Sequence, residues 1–321
     1  MSGDGRDAWR RARSALAGPV LALLRAVVAA LGWRRSQRLG GAIGRLGWRL
    51  ARRDRRRALE HLEIAFPELP AAERATLARS CFVHLGTTLV EMLHLLRFTC
   101  ADVERHLAVE GWEHVEAARA GGRPVLFLTA HCGTWEMLAA AAGCRGMPLT
   151  GVARRQDDPR ADALTIELRA RFGARTLSRG TPGAAGELLR VMRGGSALAM
   201  LIDQDTRVDG TWVPFFGRLA FTPVGAAQIA LRQRAAVLPA FDERRPDGNH
   251  LLRVLPPLEL SADATEATAA MTAAIEQQVR RRPEQWVWMH RRWRRRPPGE
   301  TAAAPPPTVP APAGSPPGDA R

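Results

Sequence analysis

The chain has 321 residues but no lysine and no tyrosine, and Asn249 is its single asparagine. All 47 basic residues are therefore arginine, a bias that points to a GC-rich genome more than to a physical demand. Set against 32 acidic residues they leave a formal net charge of +15, which favours anionic partners such as nucleic acid, an acidic protein or an anionic membrane surface. Only four cysteines occur, Cys81, Cys100, Cys132 and Cys144, with no C-x-x-C pair, so no disulfide framework is expected and a reducing compartment is the default. There is no H-E-x-x-H, and the eight histidines are scattered, so no metal is expected. No G-x-S-x-G elbow is present, which argues against a serine esterase. No recognition helix, zinc-ligand spacing or RNP-like stretch supports nucleic-acid binding, and no nucleic-acid partner is expected. No internal repeat is evident.

What is present supports a sizeable core. Hydrophobic residues make up 46% of the chain, enough for one large α/β domain or two small ones. Ala15 to Gly32 is an apolar run of about one membrane thickness, interrupted by Pro19 and Arg25. It fits either a short tilted span or a helix lying in the interface with Arg25 snorkelling. Arginines crowd its downstream side, which by the positive-inside rule places the remaining chain on the cytoplasmic face. Gly40 to Arg49 reads as a basic amphipathic helix suited to lipid headgroups. Ala71 to Arg97 is helical, with apolar residues from Phe82 to Leu96 at core spacing.

Beyond residue 120 strands and helices alternate. Strands are expected from Pro124, at Leu149–Ala153, Thr176–Leu177, Ser196–Ile202, Ala236–Phe241 and Leu251–Leu260. Helices are expected at Trp135–Ala142, Ala161–Phe172, Gly186–Arg193, Val224–Arg234 and Ala264–Arg281, the last capped by Asp263. Such alternation predicts an α/β fold with a mainly parallel central sheet flanked by helices. From Pro297 the chain is rich in proline and alanine without periodicity, as in a disordered tail. The division is 1–35 as an N-terminal membrane anchor, 36–297 as the globular domain and 298–321 as the tail.

The first strand ends on His131, and Gly133 and Thr134 offer a tight turn into the next helix, which carries Glu136 in its first turn. This places a histidine and a carboxylate in the crevice where open α/β sheets bind ligands. A carboxylate on one ring nitrogen fixes the tautomer and leaves the other nitrogen to act as a general base. The alternative is that Glu136 only complements the helix dipole. Cys132, adjacent to His131, is a weaker nucleophile candidate. A second polar group, Asp203-Gln204-Asp205, follows the strand Ser196–Ile202 and would face the same crevice if the two strands are parallel neighbours. Trp212 to Gly217 is an aromatic loop that would suit a ligand with a greasy tail and a polar head.

Five blocks then resemble one family in order and spacing, from about Arg34 to Pro297. They are Ala65-Phe66-Pro67-Glu68, the His131 to Glu136 box, Asp203-Gln204, Pro214-Phe215-Phe216-Gly217, and the run from Pro283 to Trp293 with its three tryptophans. The chain resembles the bacterial lipid A late acyltransferases, the lauroyl and myristoyl transferases of the lysophospholipid acyltransferase-like superfamily. The resemblance implies a glycerolipid acyltransferase-like fold with a membrane-anchoring helix at the inner membrane. It implies an acyl thioester as co-substrate, from acyl carrier protein or acyl-CoA, with no other cofactor, and an anionic lipid acceptor. By the same resemblance His131 is the base and Glu136 orients it. Arg169 holds the thioester oxygen or the headgroup, with Arg171 and Arg155 as rivals, and Asp203 or Asp205 takes the family's second acidic position. An acyl groove is expected near Trp135, Phe215 and Phe216. Thr134 and His61 stand where this family commonly has asparagine, and no later Phe-Pro-Glu-Gly-Thr-Arg block is present, which argues against glycerol phosphate as acceptor. Other expectations remain beside this one: acyl transfer to a phospholipid or glycolipid, thioester hydrolysis, or a basic non-enzymatic protein that binds membrane or nucleic acid.

Overall fold

The computed structural model describes residues 3–153, 158–178 and 183–299, with side chains from residue 18 onward except 184 and 185. Ten α-helices and nine strands are described. A seven-stranded sheet forms the centre. Its order is β1 (Leu107–Glu110), β9 (His250–Val254), β8 (Ala236–Arg244), β2 (Val125–Thr129), β5 (Ala197–Leu201), β3 (Leu149–Ala153) and β4 (Arg175–Ser178). Every neighbouring pair is parallel except the β8–β9 hairpin. β2 is buried along its whole length, and its side chains alternate between two cores. Leu126 and Leu128 enter one and Val125 and Phe127 the other, as a strand covered on both faces requires.

The helices are α1 (Gly3–Leu50), α2 (Arg52–Ala65), α3 (Ala71–Leu95), α4 (Cys100–His106), α5 (Trp112–Ala120), α6 (Met137–Cys144), α7 (Pro159–Arg171), α8 (Ala184–Arg193), α9 (Gly225–Gln233) and α10 (Ala264–Arg281). α10 has the expected limits, and Asp263 caps it by accepting from the Thr265 and Glu266 amides. β9 stops at Val254, short of the expected Leu260, where Pro256 and Pro257 lack the N–H a ladder needs. β1, α4 and α5 were not foreseen. Nor was the antiparallel hairpin of β6 (Gly210–Phe215) and β7 (Arg218–Pro223), whose residues read as a loop.

The N-terminal region departs most from expectation. Among the described residues no helix is long and apolar enough to cross a membrane. The apolar run belongs to α1, which kinks at Gly32 with φ 68°. The Arg25 guanidinium pairs with Glu167 on α7 at 3.1 Å. Leu21, Leu24 and Val28 pack inward while Val20, Leu23 and Val27 remain exposed. The small residues of the Gly40–Arg49 segment face protein rather than headgroups. A Cβ on Gly44 would lie 2.2 Å from the Phe82 carbonyl, and one on Gly86 2.3 Å from the Gly40 carbonyl, so α1 and α3 touch backbone to backbone. The absence of a disulfide is also corrected: Cys100 and Cys144 are bonded, with Cα atoms 5.3 Å apart, joining the start of α4 to the end of α6.

Candidate active site

β2 and β5 are adjacent and parallel, with Thr129 paired to Leu201. His131 and Asp203 each stand two residues beyond that pair, so equal extensions of two neighbouring strands bring them together. The His131 Nδ1–H donates to Asp203 Oδ1 at 2.9 Å, and the His131 amide donates to Asp203 Oδ2 at 2.9 Å. The indole Nε1–H of Trp286 donates to the same Oδ2, also at 2.9 Å. Burial alone would raise the Asp203 pKa. The charge on the His131 ring and these three donors outweigh burial and hold it well below the usual carboxylate range. Asp203 is thus a fixed anion that sets the imidazole tautomer and leaves Nε2 outside the pair.

The sequence reading paired His131 with Glu136. The structure gives that place to Asp203 and turns the Glu136 carboxylate toward α7. Arg169 grips it with both edges of its fork, Nε to Oε2 at 2.9 Å and Nη2 to Oε1 at 2.7 Å, while Nη1 donates to Thr176 at 3.2 Å. Burial would lower the Arg169 pKa, but the Glu136 carboxylate more than offsets it and raises it. Glu136 is the N-cap residue of α6, yet its side chain makes no capping bond. The carboxylate is committed to Arg169 instead.

His131, Trp135, Glu136, Arg169 and Gln204 all line one open cavity of about 470 Å³. Its walls are mainly aliphatic: Leu89 and Met92 from α3, Leu164 and Leu168 from α7, Val152 from β3 and Leu201 from β5. The Trp135 ring stands edge-on to the His131 imidazole, with centroids 5.1 Å apart. The site thus offers an oriented imidazole, a charged pair and a greasy wall at one mouth. Among the described residues no group of three or more His, Cys, Asp or Glu side chains is arranged to hold a metal ion.

A sequence profile described as bacterial lipid A biosynthesis acyltransferase matches residues 9–295. The lipid A biosynthesis lauroyltransferase of Escherichia coli K12 is 30% identical over 267 residues, covering 82% of this chain and 86% of that protein. The chain belongs to the bacterial lipid A biosynthesis acyltransferase family. The myristoyltransferase of the same strain is 28% identical over 80% of each chain. Its palmitoleoyltransferase is 27% identical, over 82% of this chain and 86% of that protein.

Several residues that the family resemblance suggested for the site stand elsewhere. Phe215 and Phe216 do not line the cavity. They are buried among Trp286, Trp288 and Trp293, with Arg292 over the Phe215 ring at 4.9 Å and Arg280 over Phe216 at 4.3 Å. Arg171 donates to the Phe98 and Arg97 carbonyls and so holds the chain between α3 and α4. Asp205 binds Arg294 and Arg295, tying down the last described segment. Arg155 lies outside the described residues. The C-terminal aromatic run is built into the core, where Trp286, Trp288 and Arg292 are each at most 1% exposed. Cys132 is buried, which pushes its thiol well above the ordinary range and makes it a poor nucleophile.

Sequence reading missed a second polar cluster behind the turn. Glu91 of α3 is fully buried and bound by Arg244 of β8. His250 of β9 donates from Nδ1 to Asp242 at 2.8 Å and lies 3.2 Å from Glu91. Burial opposes a charge on His250, but Asp242 and Glu91 raise its pKa to about 9. Two buried anions are thereby matched by two cations. A glutamate inside the apolar run Leu89-Val90-Glu91-Met92-Leu93 was the available signal.

Proposed function

We propose that this chain moves a fatty acyl group from the thioester of acyl carrier protein or coenzyme A to a hydroxyl of a lipid A precursor, with His131 as general base. The observation that carries this reading is an imidazole fixed by Asp203 at the mouth of an aliphatic cavity, in a chain of this family. The acyl tail lies along the aliphatic wall with its carbonyl beside His131. Nε2 takes the proton of the acceptor hydroxyl as that oxygen attacks the carbonyl carbon. The tetrahedral intermediate collapses, the C–S bond breaks, and the imidazolium returns its proton to the departing thiolate. Asp203 stabilises the imidazolium meanwhile. Arg169, kept charged by Glu136, provides positive charge for the oxyanion. No acyl-enzyme is needed.

The reading extends to location. Val20, Leu23 and Val27 form an exposed aliphatic strip on α1, and Glu167 neutralises the one charge among them, Arg25. That strip would rest in the cytoplasmic surface of the inner membrane, and the excess of arginine would attract anionic headgroups and an acidic carrier protein. Lipid extracts of cells lacking the gene, complemented with wild type or His131→Ala, test the proposal by mass spectrometry. One ester-linked chain should return to lipid A with wild type only. The purified variant should lose activity by about 10³-fold while staying folded. Restoration by His131→Ala, or a change confined to another lipid class, would overturn it.

A further inference from the structure

Gly133 and Thr134 separate His131 from Glu136, and each is gripped from the side away from the cavity. The Thr134 hydroxyl donates to Glu91 at 2.6 Å, and its amide donates to Asp242 at 2.7 Å. The Gly133 carbonyl accepts from His84 Nε2 at 3.2 Å and from the Thr88 hydroxyl at 3.3 Å. Its amide donates to the Gln285 carbonyl at 3.1 Å. Arg244 joins these partners, since its guanidinium reaches Glu91, Thr88 and His84 Nδ1. Gly133 adopts φ 59°, and a Cβ there would fall 2.2 Å from the Asp242 carbonyl, so the turn lies directly on β8. None of Glu91, Arg244, Asp242 or His250 lines the cavity.

We propose that Glu91 and Arg244 are positioning residues for acyl transfer, acting through Thr134 to set where the His131–Glu136 turn stands over the cavity. The inference rests on His131 being the base. Asp203 fixes the rotation and tautomer of the imidazole and, by accepting the His131 amide, holds the start of the turn. At Thr134 the height and tilt of the turn are set by a buried pair that spans α3 and β8. α3 also carries Leu89 and Met92, so the same pair ties the cavity wall to the turn. Thr134 is the link, because its short hydroxyl reaches Glu91 directly.

The test compares purified Thr134→Val, Thr134→Ser and Glu91→Gln with wild type, using acyl transfer kinetics and thermal melting. Thr134→Val keeps the volume and removes only the hydroxyl. It should lower kcat by about tenfold or more, as a small misplacement of reacting groups does. KM for both substrates should stay within about twofold. Melting should stay near wild type, and Thr134→Ser should restore kcat. A ¹⁵N-histidine spectrum of Thr134→Val should show a shifted His131 Nε2 with Nδ1 still protonated. Glu91→Gln should lose kcat in the same way, and if it fails to fold the Thr134 pair decides alone. Wild-type kcat in Thr134→Val, or a loss that Thr134→Ser does not restore, overturns the proposal. His131→Ala separates this failure from that of the general-base reading: if His131→Ala is inactive and Thr134→Val is normal, only the positioning role falls.

Discussion

Two glutamate–arginine pairs flank the same turn, and they differ in what they face. Glu136 and Arg169 meet at the cavity, with 5% and 11% of their side chains exposed, and among the described residues no other cation pairs with that carboxylate. Glu91 and Arg244 meet behind the turn, among His250, Asp242, Thr88, Thr134, His84 and Gln37. A lone pair at a cavity mouth can exchange partners when substrate arrives. A pair embedded in six further polar groups cannot, because any exchange would strand a buried charge. On the proposed mechanism the same residue types serve reaction on one side and geometry on the other.

The largest expected effect comes from the third carboxylate at this turn. Asp203→Asn should cut kcat by about 10²- to 10⁴-fold, since an amide that donates toward Nδ1 selects the wrong tautomer. Steady-state rates on folded protein check this, and a loss under tenfold would mean Asp203 is not the orienting group. Next, the two pairs should separate rate from stability. Glu136→Gln should lower the rate by about 10²-fold with modest destabilisation. Glu91→Ala should instead destabilise by about 3–5 kcal/mol, because it leaves Arg244 without its carboxylate and His250 with Asp242 alone. Urea unfolding of both variants would reveal a reversal, and a reversal would undo the contrast.

The smallest effect is alkaline. The folded pKa of His250 is raised to about 9 from an ordinary 6.5. Its contribution to stability is then full below pH 6.5 and is lost as pH rises through about 9. Arg244, His84, Asp242 and Glu91 are the charged or titratable groups facing it. Melting temperature should fall between pH 6.5 and 9.5 in wild type, and that part of the fall should be absent in His250→Gln. Asp203 acts in the opposite sense. Its depressed pKa stabilises the fold above the ordinary carboxylate range, and that contribution is lost as pH falls.

Much of this site was legible from local pattern. The strands that lead to His131 and to Asp203, and α10, follow from apolar runs, turn residues and a capping aspartate, although β2 stops at Thr129 rather than on His131. The pairing of His131 was not. Glu136 is five residues away and Asp203 seventy-two, and only the adjacency of β2 and β5 reverses that order. Strand order is a long-range property that periodicity does not carry. Phe215 and Phe216 were misplaced for a related reason: an aromatic loop beside a polar motif suggests a groove, but a hairpin turned these rings into the core. The partner of Arg25, Glu167, is likewise remote in sequence.

The glycine contact between α1 and α3 has its own consequence. Where two helices meet without side chains between them, there is nothing soft to absorb an added methyl group. Alanine at Gly86 would set a Cβ 2.3 Å from the Gly40 carbonyl and 2.5 Å from the Gly44 amide, so the helices would have to separate. α3 would carry that displacement to Leu89, Glu91 and Met92 together, so one remote methyl would shift the cavity wall and slacken the grip on the turn that carries His131 in a single movement.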